Sequence, residues 1–142
     1  MKVENILLSK GDAVHAVAEQ ATVRTAVDLL GAHNIGAVLV TDAKGALSGI
    51  LSERDIVRRL RTDGPSVLAT PVANCMTPQP FTCGLQTTLD ELLGEMTRKR
   101  IRHMPVVEGG ALVGVVSIGD VVKRKIEVSE AEAAALKEYI AS

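Results

Sequence analysis

The chain contains two copies of one structural unit. Residues 45–59 (GALSGILSERDIVRR) align without gaps with residues 110–124 (GALVGVVSIGDVVKR). Eight of these 15 positions are identical and four more are conservative replacements, an agreement that unrelated segments rarely reach. Such a repeat constrains the fold strongly, because each copy must form the same arrangement of helices and strands. A unit of about sixty residues buries too little surface to be stable alone, so we expect the copies to share a core.

The similarity extends upstream to a pair of amphipathic helices. Thr22 aligns with Thr88, and threonine is a favoured residue at a helix N-cap. Apolar residues follow each threonine at the spacing i, i+3, i+4 and i+7, which predicts a helix with one buried face. These residues are Val23, Ala26, Val27 and Leu30 in the first copy, and Leu89, Leu92, Leu93 and Met96 in the second.

Each of these helices is followed by two short apolar runs with a glycine-containing turn between them, a pattern typical of a β-hairpin. The runs are residues 37–41 and 47–51 in the first copy, and residues 103–107 and 112–116 in the second. Weaker opening strands are predicted near residues 16–17 and 80–82, and closing helices from about Ser52 and Ser117. The fold class is therefore mixed α/β (α+β): two βαββα repeats packed with pseudo-two-fold symmetry.

The boundary between the copies falls in residues 62–79, where glycine and proline residues interrupt regular structure. We therefore divide the chain into repeat 1, residues 1–70, and repeat 2, residues 71–142. Within repeat 2, Ser129 is predicted to cap a separate Ala- and Glu-rich helix over residues 130–140. The apolar face of that helix would dock on the body of the protein or on a partner subunit.

Composition limits the classes of function. Apolar residues make up 46% of the 142 residues, whereas aromatic residues make up only 1%, so the core must be aliphatic. The formal charge is −1, from 16 basic and 17 acidic residues, which argues against a general nucleic-acid-binding surface. The basic clusters at residues 98–103 and 123–125 keep nucleic-acid binding open as an alternative.

The cysteines and the N-terminus bear on the compartment. Cys75 and Cys83 lack the spacing of a zinc site, and although a disulfide is possible, two buried or half-buried free thiols in a reducing cytosol are favoured. The N-terminal apolar run is too short for a secretory signal, and no segment is long enough to span a bilayer. We therefore expect a cytoplasmic protein without a membrane partner.

Each copy also has an apolar strand that ends in the pattern Ser-x-x-Asp. Ser52 and Asp55 form this pattern in the first copy, and Ser117 and Asp120 form it in the second. Taken singly, each pattern is typical of a capping box, in which the two residues exchange hydrogen bonds at a helix N-terminus. The same geometry also suits a nucleotide, because free backbone N–H groups can bind phosphate and a carboxylate can accept ribose hydroxyls.

The tandem pattern resembles a known family. Together with Met76-Thr77-Pro78, which opens the second copy, and His103-Met-Pro-Val106, which precedes its hairpin, it resembles a pair of cystathionine-β-synthase-type (CBS) domains of the stand-alone bacterial kind. The resemblance covers about residues 9–127. It implies a module that binds an adenosine-containing ligand, such as AMP, ADP, ATP, NAD(H) or S-adenosylmethionine, in two clefts between the repeats. It also implies a homodimer and requires no metal.

The resemblance further implies which residues form each cleft, because the Ser-x-x-Asp of one repeat faces the opening segments of the other. The first cleft would contain Ser52, Arg54, Asp55, Thr77, Gln79, Phe81, Ile101, Arg102 and His103. The second cleft would contain Lys10, Gly11, Ala13, His15, Ile35, Gly36, Ala37, Ser117, Gly119 and Asp120. In the family the aspartate binds ribose hydroxyls, the serine contacts ribose or phosphate, and aliphatic side chains and backbone groups bind adenine.

The two clefts are expected to differ. Between serine and aspartate, the first copy has Glu53-Arg54 where the second has Ile118-Gly119. Arg54, Arg102 and His103 favour the more anionic ligand in the first cleft. The expected ligands are AMP, ADP or ATP, with NAD(H) as a candidate for the second cleft.

We therefore interpret the chain as a non-catalytic regulatory sensor that signals to an unknown effector protein. The alternatives are a nucleic-acid-binding protein, a purely structural interaction module and, less favoured, a nucleotide-processing enzyme. An enzyme would need a general base or a metal beside the phosphates.

Overall fold

The computed structural model describes residues 1–141 and contains two β-sheets, one built around each copy of the repeat. Helices pack on both sheets, so the mixed α and β class predicted from the sequence is confirmed. The helices are α1 (Val3–Lys10), α2 (Val23–His33), α3 (Glu53–Asp63), α4 (Leu89–Lys99) and α5 (Ile118–Ala141). The strands are β1 (Ala16–Ala18), β2 (Ala37–Thr41), β3 (Leu47–Ser52), β4 (Thr77–Pro78), β5 (His103–Glu108) and β6 (Ala111–Ser117).

The amphipathic helices α2 and α4 begin where the sequence predicts. The hydroxyl of Thr22 accepts a hydrogen bond from the N–H of Thr25, and the hydroxyl of Thr88 accepts one from the N–H of Glu91. Both helices end at a residue with left-handed backbone dihedrals, Asn34 for α2 and Arg100 for α4. These matching caps fix the same helix length in the two repeats, and each helix buries its predicted apolar face in the core.

The four-stranded sheet has the order β1-β2-β3-β4, and its last strand belongs to the other repeat. Strand β4 runs antiparallel to β3, with Gly49 opposite Pro78 and Ile50 opposite Thr77. Gly49 is required at this crossing, because a Cβ there would lie 3.0 Å from the carbonyl oxygen of Thr77 and would overlap the side chain of Met76. The pairing therefore brings the opening segment of repeat 2 against the hairpin of repeat 1.

The opening strand of repeat 2 lies earlier than predicted. The sequence analysis placed it near residues 80–82, whereas the strand is β4, which ends before Gln79. Gln79 has a positive φ of 48°, which turns the chain, and Pro80 has no N–H to donate to a ladder. The chain next pairs with a strand of its own repeat at Cys83, which forms a single parallel bridge with Val106.

The buried side chains form three clusters. One lies between the sheet and helices of repeat 1, and one lies within repeat 2. The third joins the repeats: buried Ala37, Leu39 and Ile50 pack with Leu112 and Val115 of the second hairpin. The shared core expected from the small size of each copy is therefore the contact between the two hairpins.

Helix α1 was not anticipated by the sequence analysis. Its buried residues Val3, Ile6 and Leu7 pack in the core of repeat 2, with Leu92 and Met96 among their neighbours. The fit is close, because a Cβ at Gly114 of β6 would lie 2.9 Å from the methyl carbons of Leu7. The N-terminal helix therefore completes the core of the distant repeat and then leads, through residues 11–15, into β1 of repeat 1.

The C-terminal helix also differs from the prediction. Ser129 was expected to start a separate helix, but it lies inside the continuous 24-residue helix α5. The capping interpretation is wrong because nothing between residues 118 and 141 breaks the helix: this segment contains no proline, and its only glycine, Gly119, lies in the first turn. Ser142 lies outside the described residues.

Two smaller predictions concern the thiols and membranes. Both cysteines are free and half-buried, as predicted. Burial raises the pKa of the Cys83 thiol to about 11, so this thiol is protonated at neutral pH.

Within residues 1–141, no helix combines the length and apolar character needed to cross a membrane.

The packing of α1 can be tested by replacing Ile6 with alanine. Ile6 is buried, so we expect Ile6→Ala to lower the free energy of unfolding by about 2–4 kcal/mol, through lost burial and the cavity left behind. The matched control is Leu8→Ala on the same helix, because Leu8 is 83% exposed and its loss should change stability by less than about 0.5 kcal/mol. Urea unfolding measures both, and equal effects would show that α1 does not form part of the core.

Candidate functional site

A cavity with a volume of about 530 Å³ lies between the two repeats. Its size is typical of a small-molecule site. All nine residues predicted for the first cleft line it, and they come from β3 and α3 of repeat 1 and from two separated segments of repeat 2. They are Ser52, Arg54, Asp55, Thr77, Gln79, Phe81, Ile101, Arg102 and His103.

Ser52 and Asp55 are positioned where β3 passes directly into α3. The carboxylate of Asp55 accepts hydrogen bonds from the backbone N–H of Ser52 at 3.0 Å and from its hydroxyl at 3.1 Å. The N–H of Asp55 donates in turn to the Ser52 hydroxyl at 3.3 Å. This arrangement is the capping box that the Ser-x-x-Asp pattern indicates, and it fixes the Asp55 carboxylate at the N-terminus of α3.

Thr77 reaches this carboxylate from the other repeat. Its hydroxyl donates to Oδ1 of Asp55 at 3.3 Å, because the pairing of β4 with β3 places Thr77 opposite Ile50. Gln79 is held next to β3 by a hydrogen bond from its N–H to the carbonyl of Ser48 at 3.2 Å. Strand β4, which repeat 2 contributes to the sheet of repeat 1, thus forms one side of the cleft.

The cleft is rimmed by four arginines. The sequence analysis predicted Arg54 and Arg102, and the structure adds Arg58 and Arg100, while Glu53 is an acidic neighbour. Arg58 follows Asp55 by three residues on the same helix, a spacing that could have indicated it; Arg100 owes its position to the left-handed C-cap of α4. A second hollow of about 490 Å³ shares Arg54, Arg100 and Arg102, so the positive surface continues beyond the first cavity.

Phe81 gives the rim an apolar surface. Its side chain is 51% exposed, and the ammonium of Lys99 lies 3.6 Å from the centre of the ring. This cation–π contact fixes the ring without burying it.

Gly36 lies in a different place from its prediction. It was assigned to the second cleft, but it lines the first, because its carbonyl accepts a hydrogen bond from the N–H of Glu53 at 3.0 Å and so ties it to the start of α3. A Cβ at Gly36 would lie 3.1 Å from Nε2 of His103 and 2.9 Å from Oε1 of Glu53. Glycine here permits the imidazole of repeat 2 to approach the backbone of repeat 1.

His103 lies between the predicted clefts. It lines the first cavity, while its backbone pairs with Ser117 of the second Ser-x-x-Asp pattern. Burial lowers the pKa of His103 below its usual value, against the opposing influence of the negative charges of Glu53 and Asp120. The imidazole is therefore predominantly neutral at pH 7.

At the second predicted cleft, Ser117 and Asp120 repeat the capping arrangement. The N–H of Ser117 donates to Oδ2 of Asp120 at 2.9 Å, and the N–H of Asp120 donates to the Ser117 hydroxyl at 3.1 Å. Lys10 adds an ion pair, with Nζ 2.8 Å from Oδ2 of Asp120. Burial would raise the pKa of Asp120, but the hydrogen bonds from Lys10 and Ser117 outweigh it and keep that pKa below its usual value.

The other residues predicted for the second cleft are farther apart than those of the first cleft and do not all surround Asp120. Gly11 ends α1, Ala13 is exposed, and Gly119 follows the start of α5, where a Cβ would meet only the Ser117 hydroxyl at 3.6 Å. The remaining three contact repeat 1: Ile35 packs in its core, Ala37 pairs with Ser52, and the ring of His15 stacks on that of His33 at 3.8 Å. The structure thus brings together Lys10, Ser117 and Asp120.

This architecture matches a known family over both copies. The CBS domain family matches residues 7–62 and residues 72–127, which include both Ser-x-x-Asp patterns. The chain belongs to the CBS domain family. The resemblance inferred from the tandem repeat is therefore confirmed.

Individual CBS domain proteins align with most of this chain. A mitochondrial CBS domain-containing protein of Arabidopsis thaliana, CBSX3, is 33% identical over 146 residues, which cover 97% of this chain and 71% of the relative. The crystal structure of the CBS-domain-containing protein ATU1752 from Agrobacterium tumefaciens superposes with a TM-score of 0.85 at 42% identity, covering 87% of this chain and 92% of that one. The CBS domain protein PAE2072 from Pyrobaculum aerophilum, solved in complex with AMP, has a TM-score of 0.75 at 28% identity, covering 84% and 89% of the two chains.

The burial of His103 predicts a pH dependence of stability. Because its pKa is lower in the folded state, the unfolded chain takes up the proton first, and stability is lost as the pH falls below about 6.5, the ordinary histidine value. We expect the free energy of unfolding to fall less for His103→Gln than for the natural protein between about pH 7.5 and pH 5.5. His33→Gln, at an exposed histidine, is the control and should retain the full decrease. An equal decrease in all three proteins would contradict the assignment.

Proposed function

We propose that this CBS pair is a non-catalytic regulatory module that binds an adenine nucleotide in the first cleft. The observation that carries the proposal is the convergence of nine predicted residues, from both repeats, on one cavity beside the helix N-terminus at Ser52. The AMP complex of the Pyrobaculum relative supports this ligand class. Binding between two repeats gives the ligand a way to change their relative arrangement, provided that it binds one arrangement more tightly than the other.

The chemistry of the cleft suits the parts of a nucleotide. The carboxylate of Asp55 can accept ribose hydroxyl groups, and the Thr77 hydroxyl beside it can donate or accept. The N–H groups of Glu53 and Asp55 at the start of α3 already have acceptors, so the arginine side chains that line the cavity are the groups proposed to bind phosphate. Ile50, Ile101 and the exposed ring of Phe81 provide apolar surface for adenine.

Charge favours a polyphosphate in the first cleft. Arg54, Arg58, Arg100 and Arg102 outnumber the two carboxylates that line the cavity, those of Glu53 and Asp55. Arginine pairs with phosphate through several N–H donors, so ADP or ATP should bind more tightly than AMP. The second cleft, with its charges paired internally, is proposed to take a weaker or different adenosine ligand, for which NAD(H) is our candidate.

The wider assignments are also proposals. A homodimer is supported by apolar side chains exposed on α3 and α5, namely Val57, Leu60, Val122 and Ile126. We further propose a cytoplasmic protein whose ligand-dependent state is recognised by a separate effector.

Removal of the Asp55 carboxylate tests the site. We expect Asp55→Ala to weaken AMP binding at the first cleft by about 5- to 150-fold, which corresponds to the loss of one to two hydrogen bonds to a charged group. Asp28→Ala on the polar face of α2 is the matched control and should bind as the natural protein does. Isothermal titration calorimetry measures both affinities, and thermal unfolding checks that the altered cap leaves the chain folded. Unchanged affinity in the folded variant would show that the site lies elsewhere.

The arginine rim predicts a ligand preference. In the natural protein, ATP should bind more tightly than AMP, and Arg54→Gln should reduce this ratio by about 3- to 30-fold through the loss of one charge-assisted contact. Arg24→Gln, on helix α2 away from the cleft, should leave the ratio unchanged. Calorimetric titrations with both nucleotides give the ratio. Equal affinity for AMP and ATP in the natural protein would contradict the polyphosphate assignment, and salt-dependent binding to RNA in its place would favour a nucleic-acid ligand.

A further inference from the structure

Lys10 links the N-terminal helix to the second Ser-x-x-Asp pattern. Its ammonium donates to Oδ2 of Asp120 at 2.8 Å and to the carbonyl of Val115 at 2.9 Å. The two charged side chains of the ion pair are only 33% and 25% exposed. The contact bridges 110 positions of sequence, from the last residue of α1 to the first turn of α5.

The position of Lys10 is imposed by packing rather than by the ion pair alone. Helix α1 is fixed on repeat 2 by buried Val3, Ile6 and Leu7, and it ends at Gly11, whose φ of +99° turns the chain toward β1. The lysine therefore leaves a rigid element at a fixed place. Formation of the ion pair therefore orders only the side chain of Lys10, because the backbone that carries it is already fixed.

The two aspartates meet different partners from across the cleft. The partner of Asp55 is the Thr77 hydroxyl, which is neutral and can both donate and accept. When the repeats are aligned, Gly11 takes the place of Thr77 and offers no side chain. Lys10, one residue earlier, supplies the partner of Asp120, and its ammonium can only donate.

We propose that Lys10 occupies the ribose position of the second cleft and determines its affinity. This inference rests on the proposed function. The ribose hydroxyls must donate to Asp120, but the N–H of Ser117 and the ammonium of Lys10 already donate to Oδ2, so these two donors leave only Oδ1 for the ribose. At Asp55, by contrast, the hydroxyls of Ser52 and Thr77 can rotate away from the carboxylate, whereas the ammonium of Lys10 leaves Asp120 only when the ion pair breaks. Full contact of a ribose with Asp120 therefore requires that the ion pair breaks, and the first cleft fills first.

The test removes the charge of Lys10 and keeps its stem. AMP is titrated by calorimetry into two proteins, the Asp55→Ala variant and the double variant that carries both Asp55→Ala and Lys10→Met. Asp55→Ala weakens the first cleft in both proteins, so that binding at the second cleft is observed by itself. We expect Lys10→Met to tighten AMP binding at the second cleft by about three- to tenfold, because a partly exposed ion pair no longer has to be broken. In the background with Asp55 intact, the affinity of the first cleft should be unchanged.

Two control variants separate the effect from general loss of charge. Lys10→Arg keeps a cation that can pair with Asp120 and should bind AMP as weakly as the natural protein does. Lys44→Met removes a lysine from the turn between β2 and β3 and should also leave both affinities unchanged. Thermal unfolding of each variant establishes that it is folded under the conditions of the titration.

The remaining outcomes overturn the inference in distinguishable ways. Weaker binding at the second cleft in Lys10→Met would show that Lys10 binds the phosphate of the ligand. Unchanged binding there would show that the ion pair does not affect the affinity of the second cleft. In both cases binding at the first cleft would persist, and the proposed function would stand. Failure of AMP to bind at either cleft, in the natural protein and in Lys10→Met alike, would overturn both the proposed function and the role of Lys10.

Discussion

The apolar contact between the two hairpins is the constraint on which the rest of the structure depends. Ala37, Leu39 and Ile50 from repeat 1 meet Leu112 and Val115 from repeat 2, and each of these side chains lies on a strand that also forms its own repeat's sheet. A repeat of about sixty residues leaves such a face uncovered when it is alone. Because the clefts lie next to this contact, the groups that stabilise the fold also determine the distance between the two sides of each cleft.

Each repeat contributes one element to the other repeat. This exchange strengthens the contact between the repeats and makes the two predicted clefts different. Repeat 2 contributes β4 to the sheet of repeat 1, which brings the neutral Thr77 hydroxyl to Asp55. Repeat 1 begins with α1, which packs on repeat 2 and brings the ammonium of Lys10 to Asp120. Similar sequences in the two Ser-x-x-Asp segments thus form carboxylate sites of different charge, because the elements that cross over are not alike.

Local patterns predicted most of the elements but fewer of the contacts between them. The caps at Thr22 and Thr88 and the bounds of β2 followed from side-chain chemistry and hydrophobic periodicity, which act over a few residues. The opening strand of repeat 2 was misplaced because its pairing partner lies in the other repeat, a tertiary preference that local sequence does not encode. Ser129 has the chemistry of a cap, but the helix around it has no break, and helix propensity prevailed.

The candidate site shows the same division. The nine residues that the family resemblance implied for the first cleft all line the cavity, since they lie in the motifs on which the resemblance depends. Arg58 was missed although its spacing from Asp55 places the two side chains on one helix face, and Arg100 was missed because its position depends on the left-handed C-cap of α4. Gly36 was assigned to the second cleft but lines the first cavity, because its contacts with Glu53 and His103 depend on tertiary packing that local sequence does not show.

The continuity of α5 has a mechanical consequence. The helix begins directly after Ser117, at the edge of the second cleft, and continues for 24 residues without a break, with largely exposed side chains beyond residue 128. At 1.5 Å per residue its length is about 36 Å, so a rotation of about 10° at its base displaces its far end by about 6 Å. A small change in the angle at which the packed first turns of α5 sit on repeat 2 would therefore become a much larger displacement at its C-terminal end.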